Sequence, residues 1–312
     1  MEYTVEKEWD GRSVLDVIRG RLGISGSMLR HLKFLENGIL LCGVRVTVRA
    51  TVHEGDLLVL ATDDEVPQEG LLGVDLPIDV LYEDEDLVVP DKPADMPTHP
   101  SHNHHEDTVA NALAFRYKKM GVPFVFRPIN RLDRNTSGLL LVARNRLSAS
   151  ALSAAMREGK IEKQYLAVLD GVPPHAEGVI ETYIRRTKES IIVRENCAEG
   201  EGGDRAVTRY RVLFCTETHA LVAAEPITGR THQLRVHFAG LGCPITGDDM
   251  YGAPSKLIGR HALHAHTLSF PHPKSGEILF CRAPLHDDMA ALVAHLFPEI
   301  PKDILENPSS AF

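Results

Sequence analysis

The chain has 312 residues, 43% hydrophobic and 25% charged, with a formal net charge of −9 at pH 7. That length is ample for a hydrophobic core and makes two domains the default expectation. No apolar run approaches the ~20 residues that span a bilayer, which argues against a membrane protein. Cys42, Cys197, Cys215, Cys243 and Cys281 are odd in number, scattered and without CxxC spacing. That pattern argues against a disulfide framework and against a thiolate metal site. With a charged opening stretch, MEYTVEKEWDG, where a signal peptide would be apolar, the expected location is cytoplasmic.

The acidity is unevenly spread. Residues 63–91 hold eleven Asp or Glu and no Lys or Arg, so the rest of the chain is net +2. A polyanionic partner is therefore compatible with the overall charge, and the acidic stretch is expected to be a solvated linker, 63–78, with its following strand.

Residues 1–62 read as a small module. Val14, Leu15, Val17, Ile18 and Leu22 predict an amphipathic helix, and Ser25-Gly26-Ser27 caps a second one carrying Met28, Leu29, Leu32 and Leu35. Ile39 to Leu41 and Val44 to Val48 flank Cys42-Gly43 as a hairpin, and Leu57 to Leu60 is a further strand. Between residues 11 and 60 there are seven Arg or Lys against four Asp or Glu. Arg30 and Lys33 fall three apart, on one side of the second helix. Removal of this module is expected to leave the rest of the chain folded and to weaken its hold on phosphates.

Beyond the linker, Asp79 to Pro93 reads as a strand pair. His99, His102, His104 and His105 form a tempting metal cluster. Without a nearby Cys or a helical spacing of four, they read instead as a polar surface loop, and no metal is expected. Val109, Leu113 and Tyr117 at spacing four predict a helix over 107–120. The stretch from Pro128 to Asn145, PINRLDRNTSGLLLVARN, brackets Asp133 with Arg131 and Arg134 and passes through a small polar turn into a short apolar run, Gly138 to Val142. That run reads as a buried strand. A carboxylate beside the start of such a strand sits on a stiff scaffold and suits catalysis, although a turn Asp capping its own backbone is the plainer alternative.

Ser148 to Gly159 predicts another helix, and 163–170, 206–212 and 221–224 predict strands. Thr231 is a good N-cap for a helix with Leu234, Phe238 and Leu241 on one face before Gly242. The expected architecture, implied by a family resemblance that the residues quoted next carry, is α+β, a mixed, mainly antiparallel sheet domain over 79–300 behind a small α/β module.

R-L-D-x-x-T-S-G at Asp133 resembles the signature of the RluA-type pseudouridine synthases. Lys163-Gln164-Tyr165-Leu166-Ala167-Val168 is similar to the family's K-x-Y-x-A-x-V strand, and Thr228 to His237 followed by Gly242 to Asp248 resembles its third motif. The similarity covers about residues 79–290, and residues 1–62 resemble an S4-like RNA-binding domain. The resemblance implies isomerisation of uridine to pseudouridine in a structured RNA, ribosomal large-subunit RNA or tRNA, with no cofactor and no obligate protein partner. It makes Asp133 the nucleophile and Arg235 the guanidinium that pairs with it. Tyr165 would stack on the target base, and Leu234 and Leu285 would wall it. Arg131 would fill the place of a flipped uridine, while Arg230, Arg30 and Lys33 are expected to contact RNA. Three residues depart from the family pattern: Asn130 where it commonly has His, Asp91 where it has Asn and Asp95 where it has Gly. The last two are expected to add negative charge to a loop near RNA. Asn130 keeps open a competing class, a catalytically inactive RNA-binding or ribosome-assembly factor.

Overall fold

The computed structural model describes residues 1–61, 70–101 and 103–301. A twelve-stranded sheet forms the body of the chain, and a four-stranded sheet belongs to the N-terminal module. Pairing in the large sheet is antiparallel except between Leu263–Pro271 and Ser137–Leu139, which run parallel. That exception places the short strand after Asp133 in the middle of the sheet, between Leu263–Pro271 and Leu87–Lys92. Tyr165, Ala265 and Gly138 lie in register across three neighbouring strands. Gly138 is required there: its φ is +104°, and a Cβ would stand 2.2 Å from the Ala265 carbonyl oxygen. The strand Glu162–Asp170 changes register between Gln164 and Tyr165, an irregularity of the kind that re-aims a side chain.

The predicted helices are present with adjusted ends. Val109–Met120 is capped by a reciprocal Thr108–Asn111 box and closed by Gly121 in a left-handed conformation. Arg146–Arg157 starts earlier than Ser148 because the Asn145 side chain caps it, accepting from the Ser148 N–H. In the module, the first predicted helix is one turn, Val14–Asp16, continued by a π-helical turn, Val17–Arg21. The strand from Val44 stops at Arg45. The pattern missed Glu177–Arg186 and Arg194–Cys197, the outer edge of the large sheet, where only Ile180 and Ile184 are buried and alternation is faint.

Where described, the acidic stretch is packed rather than solvated. Asn111 donates through Nδ2 to the Leu72 carbonyl at 2.7 Å, and Leu76 and Ile78 lie against the large core. The remainder of the expected linker, 62–69, is outside the described residues. No described helix is long and apolar enough to cross a membrane.

The module also shares its core with the body. Leu147, on the helix Arg146–Arg157, is 0% exposed within the module's cluster, and the Ser25 N–H donates to Ser150 Oγ at 2.7 Å. Deleting the module therefore bares Leu147, contrary to the expectation that the remainder stays intact. A truncated protein starting at Gly70 is expected to melt at a lower temperature than the full chain, with Leu147→Gln recovering solubility of the truncated form. Coincident melting curves for the two lengths would count against this shared core.

Candidate active site

The Asp133 loop is held at nearly every residue. Thr98 Oγ1 donates to the Leu132 carbonyl at 2.9 Å and accepts from the Leu132 N–H. Lys92, fully buried, donates through Nζ to the carbonyls of Pro93, Met96 and Arg134, each at 2.8 Å. Burial, helped by the Arg260 charge, draws its pKa down to about 7 against the pull of Asp133. Arg260 donates to the Asn135 carbonyl at 3.0 Å and to Ser137 Oγ at 3.1 Å, and is itself fixed by two hydrogen bonds to Asp288. Thr136 Oγ1 meets His261 Nε2 at 2.8 Å, and the Thr136 N–H donates to the Asp133 carbonyl. A loop tied this densely keeps its carboxylate in one place, as a catalytic group requires.

Arg235 faces that carboxylate from the helix Gln233–Gly240. Its Nε and Nη2 bind Asp248 at 2.7 and 2.8 Å, a two-point fork that leaves Nη1 free to reach Asp133 Oδ2 at 3.5 Å. Burial raises the pKa of Asp248, but the Arg235 hydrogen bonds and charge outweigh it and leave the group below its ordinary range. Tyr251 lies under the guanidinium, 5.0 Å from ring centre to Cζ. The helix begins after His232, not Thr231. His232 has φ 57° and ψ 19°, with Nε2 3.9 Å from Asp133 Oδ2 and Nδ1 2.8 Å from the Tyr251 hydroxyl. Burial lowers its pKa, with Asp133 opposing and Arg235 adding to the effect.

Of the other residues singled out in the sequence, Tyr165 and Leu234 are buried in one apolar cluster, with Leu285 packed on it. The Tyr165 phenol is pushed upward by burial and then by the Asp133 charge. Arg131 is exposed and reaches Thr231 Oγ1 at 3.4 Å. Arg230 is turned away, towards the Arg205 carbonyl at 3.1 Å and Asp204 at 3.7 Å. Arg30 and Lys33 are exposed on the module's helix Gly26–Phe34. Asp248, His232, Tyr251, Lys92 and Arg260 carried no role in the sequence pattern. Asp248 and His232 stood inside the third motif, but only the folded chain shows what they touch.

The three departures have local explanations. Asn130 Oδ1 accepts from the Leu141 N–H at 2.7 Å, so its work is on the strand backbone. Asp91 is not in a loop: it is buried in Leu87–Lys92, 2.9 Å from His286 Nε2. Asp95 has φ 63°, the conformation a glycine adopts most readily, and its charge is met by Arg134 at 2.7 Å.

In the histidine stretch, His104 contacts Asp107 through Nδ1 and Arg134 through Nε2, and His102 lies outside the described residues. Among the described residues Asp84, Asp86 and His272 bring ligand-type atoms within 4.8 Å of one another. Their lone pairs are used internally, by Tyr82 and His272 on Asp84 Oδ2, by the backbone N–H groups of Asp86 and Leu87 on Asp84 Oδ1, and by Asn145 and Ser148 on Asp86 Oδ1. The cluster is a structural node.

Three buried histidines predict acid sensitivity. Burial lowers His237 to about 4, and His261 and His264 to about 3, from an ordinary 6.5. Below 6.5 the unfolded chain takes up protons that the folded one refuses, so stability is full above that pH and is lost as pH falls. The expected loss between about pH 6.5 and 5 is roughly 2 kcal/mol for each histidine. Denaturant unfolding at the two pH values measures it, and equal free energies would refute the assignment.

Residues 86–240 match the family described as RNA pseudouridylate synthase. A protein of Bacillus subtilis strain 168, named an uncharacterised RNA pseudouridine synthase, is 39% identical over 274 residues, 88% of this chain and 96% of the relative. A ribosomal large subunit pseudouridine synthase D of Xanthomonas campestris pv. campestris is 33% identical over 90% of this chain and 88% of its own length. Among solved structures, human RNA pseudouridylate synthase domain containing 4 aligns with a TM-score of 0.57 and 27% identity, over 70% of this chain and 92% of that one.

Proposed function

Because the chain belongs to the RNA pseudouridylate synthase family, and so isomerises uridine to pseudouridine in RNA, we propose that Asp133 is its nucleophile and Arg235 the residue that holds that carboxylate ready. The observation that carries this is the contact of Arg235 Nη1 with Asp133 Oδ2 at 3.5 Å, with the other two guanidinium nitrogens spent on Asp248. The reaction breaks the bond from C1′ to N1, turns the uracil, and joins C1′ to C5. The proton lost from C5 is balanced by one gained at N1, so no redox step or cofactor is required. Asp133 attacks the ribose or the base, or takes a sugar proton. The Tyr165 ring stacks on the turning uracil, with Leu234 and Leu285 completing an apolar wall.

The target lies in ribosomal large-subunit RNA or tRNA, which the similarity to a named large-subunit synthase supports. The exposed Arg30 and Lys33 of the module supply phosphate contacts. Five free cysteines favour a reducing cytoplasm as the place of work. Mapping pseudouridines across total RNA from a strain lacking the gene tests the substrate: sites in either RNA should vanish and return on re-expression. An unchanged map would overturn the assignment.

Arg131 separates flipping the base from transforming it. Its side chain fills the gap left by the extruded uridine, so Arg131→Ala should lose most activity on a paired stem-loop, where unstacking costs a few kcal/mol, and little on an RNA whose target is already unpaired. Single-turnover rates at saturating enzyme compare the two. Equal losses would leave Arg131 as a phosphate anchor.

A further inference from the structure

We propose that His232 is a positioning residue, holding Oδ2 of Asp133 through an Nε2–H of fixed tautomer and leaving Oδ1 as the reacting oxygen. The inference rests on the reading of Asp133 as nucleophile and adds to it which oxygen reacts and what fixes it. It starts from a count of protons. The Arg194 backbone N–H donates to the Tyr251 hydroxyl oxygen at 2.8 Å. The Arg235 cation lies over the Tyr251 ring and offers no acceptor. Among the described residues, the one acceptor placed for the Tyr251 proton is His232 Nδ1, 2.8 Å away. A neutral imidazole that accepts at Nδ1 carries its proton at Nε2.

That Nε2 faces Asp133 Oδ2 at 3.9 Å, and Arg235 Nη1 faces the same oxygen at 3.5 Å. Both donors gather on Oδ2, while Oδ1 takes no hydrogen bond from any described residue. An oxygen crowded by two N–H groups is a poor nucleophile, and its twin is left free. The two distances are at and beyond hydrogen-bond length, and catalytic contacts of this kind commonly tighten when substrate binds.

The backbone of His232 supports a demand on this side chain. A left-handed conformation is costly for a residue with a Cβ and is accepted where the surroundings impose it. The ring is further set by an edge-on contact with Tyr251, with centroids 5.6 Å apart and planes at 75°. A purely structural requirement at this φ would be met better by glycine.

The test uses the full-length enzyme with His232→Ala, His232→Gln and Tyr251→Phe, single-turnover rates at saturating enzyme, RNA affinities, and heteronuclear NMR of isotope-labelled histidine. His232→Ala should slow the chemical step by about a hundredfold at unchanged RNA affinity. His232→Gln, whose amide N–H reaches where Nε2 stood, should recover part of that loss. Tyr251→Phe should lower the rate with Asp133, Arg235 and His232 all present, because the proton is then free to move to Nδ1. In the parent the NMR signature should show Nε2 protonated and Nδ1 bare, and the opposite tautomer overturns the proposal. His232→Ala at the parental rate while Asp133→Asn is dead overturns the role of His232 alone. Both variants at the parental rate would overturn the nucleophile with it.

Discussion

Asp133→Asn is expected to abolish pseudouridine formation, by about a thousandfold or more, while RNA affinity stays within about twofold. The change preserves shape and removes the charge. It also leaves the fold alone: the side chain is 28% exposed, and its two side-chain neighbours stand off at 3.5 and 3.9 Å. The loop is held by its backbone, through Lys92, Thr98 and Arg260, whose hydrogen bonds to it go to carbonyls and not to the Asp133 carboxylate. Release of the C5 hydrogen from labelled uridine, followed in a single turnover, measures the effect. Residual turnover within about tenfold of the parent would end the nucleophile assignment.

Arg235→Leu should be nearly as damaging, for two reasons that one further variant separates. The carboxylate of Asp133 loses its guanidinium. Asp248, fully buried, loses both of its charged hydrogen bonds and, among the described residues, keeps the N–H groups of Met250 and Tyr251. Stranding one partner of a buried ion pair costs about 3–5 kcal/mol, so a fall of roughly 10 °C in melting temperature should accompany the lost activity. Adding Asp248→Asn removes the stranded charge and keeps the acceptor for the two backbone groups. The double variant should regain most of the melting temperature and none of the activity. Recovery of turnover along with stability would reduce Arg235 to a structural part.

The motif residues were legible because their chemistry is local. An Asp between two arginines before a small polar turn and an apolar run suggested a held carboxylate or a turn residue, and the run Gly138 to Val142, expected as one strand, is buried but divided between two short strands, Ser137–Leu139 and Val142–Ala143. The helices at Val109–Met120 and Arg146–Arg157 followed from spacing and caps, which are short-range signals. The edge strands escaped because a strand with few buried positions has little alternation to read.

What the sequence determined by itself, through its resemblance to the family, is the set of candidate groups proposed to act on the uridine, Asp133, Tyr165 and Arg235, and the mostly antiparallel sheet that carries them. Tertiary structure alone decided what makes them a site. Asp248 lies thirteen residues beyond Arg235, and Arg260 reaches the Asp133 loop across 125 residues. No pattern of neighbours in sequence can announce such contacts. The same holds for Asp91, whose charge looked exposed until His286 was folded against it, and for Leu147, which joins the core of the N-terminal module. Burial and hydrogen-bond partners belong to the packed chain, and they give each of these groups its charge, its tautomer and its direction.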